Sequence, residues 1–441
     1  MGADRVEVVV VGGGVLGEAA AGLLAARDRS VVVVERGAPA SEPAGGHLRN
    51  GPLRAAGDEY FAGIDAYFEY FDPDAAPSGL PGAFVTTVAG GMSVTWTNNC
   101  PRAVAGVDRP ELGESVDWDD LFAEAERLLE VHTDQFTDSA RGRLVRERLD
   151  GPLADDDRQL APLPLAGRRV DGHHIHYVGP ADIADPAVDR RAGRVERLVI
   201  DGDRVRGVIV DGEPITADAV VLAAGAIETP GLLWSSGYDH PALGRYLSYH
   251  PVLIAQVVLD GDDYLAGPTD PLPRLYVPPT AQYPWHTMLL RDTNPLPVAG
   301  DDLDVDPNRL IEIQAFAPVE PRLDNRLTLN ADGRWEFSVP LDAADARRRR
   351  AIEADVEALA GRLGRFRRGC TPAWAPLGTP HLMGTCRMGG DSATAVVDIE
   401  GRVRGLSNVY AASNAVIPSR LAVNPTLTAT ALAVHMVRSV F

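Results

Sequence analysis

Hydrophobic and polar positions change rhythm several times along this chain. Residues 6–11 form a run that is apolar and β-branched apart from Glu7, the pattern of a strand buried on both faces. Residues 18–27 are rich in Ala and Leu and predict a helix, and residues 31–34 predict a second apolar strand. An alternating pattern takes over in 194–210 (RVERLVIDGDRVRGVIV), which predicts a β-hairpin of two strands flanking Asp201-Gly202-Asp203. Residues 218–237 predict a buried strand, a turn at Gly225 and a helix whose first turn holds Glu228, Thr229 and Pro230. Helical spacing with acids in the first turn marks 117–129, and 343–363 reads as a long charged helix. The run Ala346 to Arg350 is expected to be a solvated face of it, and the acidic stretch 150–157 a loop. A strand is expected at 409–412 and a helix from about 426 to 440.

Texture divides the chain. Prolines become frequent between 251 and 376, and short alternating runs such as 310–316 and 326–329 replace the strand–helix repeats. That region is expected to form a mostly antiparallel sheet with helices on one side. The expected organisation is a nucleotide-binding unit built from 1–57, 85–250 and 377–441, an excursion at 58–84 that acts as a lid, and a substrate-binding domain at 251–376.

The first strand runs into Gly12-Gly13-Gly14-Val15-Leu16-Gly17, a G-x-G-x-x-G sequence. Gly12 permits the tight turn, Gly14 lets backbone approach a pyrophosphate, and Gly17 allows close helix–strand packing. The helix N-terminus behind them favours phosphate. Glu35, at the end of the second strand, is placed to accept from a ribose 2′-hydroxyl. Strand, glycines, helix, strand and acid in this order point to a dinucleotide; they leave NAD and FAD open.

Charge narrows the partners. The formal net charge is −20, and acids are dispersed, which argues against nucleic acid and an anionic membrane surface. Every basic side chain other than histidine is arginine, so Schiff-base chemistry is excluded. Cys100, Cys370 and Cys386 have no CxxC spacing, which suggests free thiols. No apolar run reaches the roughly 18 residues of a membrane span. With the first strand starting close to Met1 no signal peptide is expected, and a cytoplasmic setting is. His173, His174 and His176 cluster without accompanying Cys or acidic ligands at metal spacing, so no metal is expected.

Several ordered motifs carry a resemblance: the N-terminal fingerprint, GGMSVTWT, the 194–210 hairpin, VVLAAGAIETPGLLWSSG, LGRYLSYHP, PWHTMLLRD, DNRLTLN, HLMGTCRMG and NPTLTATALA. In these the chain resembles the glucose–methanol–choline (GMC) family of flavin oxidoreductases, especially its pyranose 2-oxidase and glycoside 3-oxidase branch. The resemblance implies an α/β fold with a discontinuous Rossmann-type FAD-binding domain and an α+β substrate domain. It implies His381 as catalytic base and Asn424 as its partner, taking the proton of an alcohol whose carbon gives a hydride to flavin. Asn424 precedes Pro425 and also suits a plain helix cap. The implied FAD contacts are Gly12, Gly14, Val15, Gly17, Glu35, Arg36, Ser93, Thr95, Trp96, Thr97, Val195, Ala224, Ser413, Asn414, Pro425 and Thr426. His250 is a family landmark of structural value, and His435 is expected to pack or face solvent.

Two departures sharpen this reading. Many pyranose oxidases attach FAD covalently to a histidine where this chain has Thr95, so FAD is expected to be non-covalent. Asp292 matches an acidic substrate-side residue, whereas Met288 and Gln314 replace a polar contact and an arginine. A sugar hydroxyl needs satisfied hydrogen bonds. A glycoside is therefore expected over free D-glucose, oxidised to a ketone at C3 or C2, with O2 or another acceptor. The alternative is an aminocyclitol, nucleoside or other polyol. Oligomeric state is left open.

Overall fold

A computed structural model describes residues 5–51, 65–113, 116–135, 138–171, 174–261, 270–290, 305–330, 332–375 and 381–441. Among them lie two seven-stranded sheets. The first is centred on the strand Arg5–Val11, which pairs in parallel with Val31–Glu35 on one side and Glu213–Leu222 on the other. Asp189–Ala192 extends it in parallel beyond Glu35. The hairpin Val195–Asp201/Arg204–Val210 adds antiparallel to the front half of Glu213–Leu222. The back half of that strand receives Val409–Ala411 in parallel, so residues far apart in sequence complete one sheet. Val11, Glu35, Leu222 and Ala411 thus end at one edge, where open parallel sheets bind ligands.

Both faces of the centre of this sheet are covered, which is why Val8–Val11, Val31–Val34 and Ala219–Leu222 read as unbroken apolar runs. Val9, Val10, Val33 and Val221 are almost wholly buried. The helices Val15–Ala25, Trp118–Leu128 and Pro425–Val440 pack with it in one apolar core.

The second sheet is antiparallel, ordered Gly364–Phe366, Val252–Leu259, Leu310–Phe316, His286–Leu290, Arg274–Val277 and Ala161–Pro162. One face, including Leu253, Ala255, Ile311 and Ile313, packs on the helices Ala140–Asp155 and Ala343–Leu363. The other face presents Val252, Ile254, Gln314 and Phe316 toward the first sheet. Asp342 and Asp345 form a capping box that starts the long helix at Ala343.

The acidic stretch 150–157 is not a loop. The helix Ala140–Asp155 takes up most of it because Val145, Leu149 and Leu153 recur at four-residue spacing and are buried. Together with the strand Ala161–Pro162, this helix belongs to the second core, so residues 85–250 do not all lie with the nucleotide-side sheet. Arg158 binds Asp355 through two bonds of 2.7 and 2.9 Å, both side chains nearly buried, and so joins that helix to Ala343–Leu363. The 346–350 run is also not wholly solvated: Arg348 donates to the Pro318 carbonyl at 2.7 Å, and Arg349 lies 4.9 Å over the Trp374 ring.

Candidate active site: a dinucleotide cleft ending at a histidine pair

A cavity of about 840 Å³ runs from the carboxyl edge of the parallel sheet to the second sheet. At one end its wall is backbone. Gly12 has φ +106°, and a Cβ there would stand 2.7 Å from the Ala223 carbonyl oxygen. Gly17 lies just outside the lining and is needed for packing: its Cβ would come within 1.9 Å of the Gly12 carbonyl oxygen. Glu35 accepts from the Gly13 amide at 2.8 Å and the Gly37 amide at 2.6 Å, which fixes its carboxylate on the cavity wall. Ser93 Oγ accepts from the Val15 amide at 3.0 Å, tying the segment 91–97 to the helix N-terminus.

Gly14, Val15, Arg36, Thr95, Trp96, Thr97, Val195, Ala224, Asn414, Pro425 and Thr426 also line the cavity. Ser413 does not; it is fully buried and its Oγ accepts from the Ala415 amide at 3.2 Å. Buried Thr95 donates to the Met92 carbonyl at 3.2 Å, and His381 is the one histidine among the described lining residues. A long cleft with close backbone approach, a carboxylate at the ribose position and an inward-facing helix N-terminus fits FAD. The Asn414 and Asn424 amide oxygens, buried without a partner on the cavity wall, are consistent with a polar group meeting them there.

The other end carries the chemistry. Asn424 is the first residue of the turn into Pro425–Val440, yet its side chain does not cap that helix. Its Nδ2 lies 3.4 Å from His381 Nε2. His381 Nδ1 lies 3.0 Å from His250 Nδ1, and His250 Nε2 lies 2.6 Å from the Leu421 carbonyl oxygen. The Phe316 ring stacks on His381 with centroids 5.4 Å apart. Burial, reinforced by His250 and His286, holds the His381 pKa well below its ordinary value. Burial lowers His250 to about 4 and His286 to about 3. All three imidazoles are therefore neutral at pH 7, the state a base requires.

The substrate-side expectations fare unevenly. Gln314 lines the cavity. Met288 pairs with it across the sheet but is 1% exposed, packed in an apolar cluster with Leu163, Leu290 and Phe316 and away from the cavity lining. Asp292 and His173 lie outside the described residues. His176 contacts Asp182 at 2.7 Å, and among the described residues no group of three His, Cys, Asp or Glu side chains forms a metal site. Sequence reasoning missed Asp108, whose carboxylate accepts from the Ala422 and Val423 amides at 2.8 and 3.2 Å and so holds the approach to Asn424. It also missed His250 as a direct partner of His381. Asp108 lies in no quoted motif, and LGRYLSYHP carries His250 without indicating that it meets His381.

Among the described residues no helix is long and apolar enough to cross a membrane, and all three cysteines are free and buried. Solved structures share the fold: a formate oxidase from Aspergillus oryzae, studied for its FAD modification, at TM-score 0.72 and 16% identity over 99% of this chain and 98% of that one. A pyridoxine 4-oxidase from Mesorbium loti matches at TM-score 0.66 and 20% identity over 99% of both chains. A C-glycoside 3-oxidase from Microbacterium trichothecenolyticum is 30% identical over 99% of this chain and 96% of its own length. A pyranose 2-oxidase from Lyophyllum shimeji is 29% identical over 81% and 71%. Family models described as GMC oxidoreductase match residues 188–252 and 324–433, the second of which contains both His381 and Asn424. With likeness extending over nearly the whole of both chains, this protein belongs to the GMC oxidoreductases, flavoenzymes acting on CH–OH groups.

Proposed function

We propose that the protein oxidises a secondary hydroxyl of a pyranose sugar or glycoside to a ketone, C3 of a glycoside being preferred over C2, with non-covalently held FAD. The observation that carries this reading is His381 Nε2 and Asn424 meeting at the end of the cavity. His381 takes the hydroxyl proton at Nε2. Asn424 holds the same oxygen, and its amide N–H offsets charge that develops there. FAD, when bound along this cavity, would supply the acceptor for the hydrogen on the carbon, with O2 or another compound as the final acceptor.

Val252, Ile254 and Phe316 make the facing wall apolar, with Gln314 as an amide among them. Such a wall suits a glycoside carrying an aglycone better than a fully hydroxylated free sugar. The likeness to a C-glycoside 3-oxidase supports C3. Thr95 has no ring nitrogen to bond the flavin, which supports non-covalent binding.

The test is anaerobic mixing of the yellow protein with free sugars, O- and C-glycosides, aminocyclitols and nucleosides while flavin absorbance is followed. Bleaching by glycosides and not by D-glucose is expected. Bleaching only by an aminocyclitol or nucleoside would replace the substrate class. Acid precipitation is expected to release all flavin to the supernatant; flavin in the pellet would reverse the non-covalent assignment.

A further inference from the structure

We infer that His250 is a positioning residue that fixes the tautomer of His381, acting as a lock on its proton and not as a path for it. The inference rests on the reading of His381 as the base, and it follows from three contacts in series.

The Leu421 carbonyl oxygen can only accept a hydrogen bond. At 2.6 Å from it, His250 Nε2 must carry a hydrogen. His250 is fully buried and neutral, so its Nδ1 then bears the lone pair. At 3.0 Å the Nδ1···Nδ1 contact has room for one hydrogen, and His381 must supply it. His381 is neutral as well, so its lone pair sits on Nε2, the nitrogen beside Asn424 at the cavity. The opposite tautomer of His381 would set two lone pairs against each other at 3.0 Å. A main-chain carbonyl thus selects which nitrogen of a histidine 40 positions earlier in the chain can act as base.

The same series forbids a relay. Moving the proton from His381 through His250 would require the Leu421 carbonyl to take a proton, which an amide oxygen does not do near neutral pH. The proton gained at Nε2 leaves again from Nε2, through the cavity. His250 sits on the segment 244–250 between the two sheets, and Ser248 holds it by backbone bonds of 2.9 and 3.0 Å to Met383, two residues from His381. The ring pair is therefore kept in register by main chain as well as side chain.

The test is direct. Protein carrying 15N-histidine, with His381→Asn used to assign the signal, is expected to show a protonated Nδ1 and an unprotonated Nε2 for His381. In His250→Leu this preference is expected to be lost, and the flavin-reduction rate with the glycoside that bleaches the flavin fastest to fall about 10–100-fold with little change in substrate affinity. His250→Gln can donate to the Leu421 carbonyl and accept from His381, so it is expected to restore the tautomer and most of the rate. A proton on His381 Nε2 in the unaltered protein overturns the inference. So does an unchanged tautomer in folded His250→Leu, or equal slowing of the Leu and Gln variants. Failure of the base reading is separable: His381→Ala would then reduce at the normal rate, whatever the nitrogen spectrum shows.

Discussion

The two ends of the cavity are built on opposite principles. At the nucleotide end the wall is main chain: Gly12 and Gly14, the N-terminus of Val15–Ala25, and a carboxylate pinned by the amides of Gly13 and Gly37. At the catalytic end the wall is side chain: His381, Asn424, Phe316 and Gln314 arrive from three separate segments. Backbone recognition needs only local geometry, so a run of a few dozen residues suffices to encode it. Side-chain recognition needs long-range assembly, and its parts carry meaning only together.

This contrast can be broken by experiment. The largest effect is expected at the side-chain end. His381→Ala should slow reduction of the flavin by roughly 100–10,000-fold. Flavin content should stay unchanged, read by absorbance of the purified protein. A comparable loss of flavin would mean the two ends are not separable.

Acid should act on the side-chain end next. His286 is lowered to about 3 and His250 to about 4, with His381 also well below its ordinary value. Below the unfolded value of about 6.5 the unfolded chain takes up protons that the folded chain refuses. Stability is therefore full above that pH and is lost as pH falls toward 4, by up to about 1.4 kcal/mol per pH unit for each histidine. Asp108, whose pKa burial raises, opposes this for one proton. Melting temperature should fall steeply between pH 6.5 and 4, while the reduction rate shows no histidine titration near 6.5. A rate that halves near 6.5 would contradict the buried, neutral His381.

Asp355→Ala strands the buried Arg158 and should cost about 3–5 kcal/mol, measured by denaturant unfolding of the flavin-bound protein. It should loosen the second sheet more than the first, which hydrogen exchange can resolve. Gly17→Ala should cost about 1–3 kcal/mol through its clash with the Gly12 carbonyl. Its readout is flavin retained on purification. Normal retention would show that the tight helix–strand approach is not required.

The same contrast explains what the sequence could reveal. The strands at Arg5–Val11 and Val31–Glu35, the hairpin after Gly193, and the helix Ala343–Leu363 follow from runs, alternation and caps that are local. The His286–Leu290 strand is buried on both faces, so no alternation in its sequence shows that Met288 packs in an apolar cluster instead of lining the cavity. In Ala140–Asp155 the polar residues and Pro152 hid a buried stripe of only a few residues. His250 resembles any histidine before a proline until the chain brings His381 to it from 131 positions away.

The pairing of Val409–Ala411 with Val220–Leu222 also has a consequence for synthesis. A ribosome finishes the front of the parallel sheet about 190 residues before the strand that covers its last edge. Until then the nascent chain carries an apolar strand with open hydrogen-bonding groups and a cleft lacking its far wall. The late segment that covers this edge also brings Asn424 and the helix Pro425–Val440. Capture of the flavin and protection from aggregation therefore fall to the same final stretch of translation, and a chain stalled before it would be both colourless and sticky.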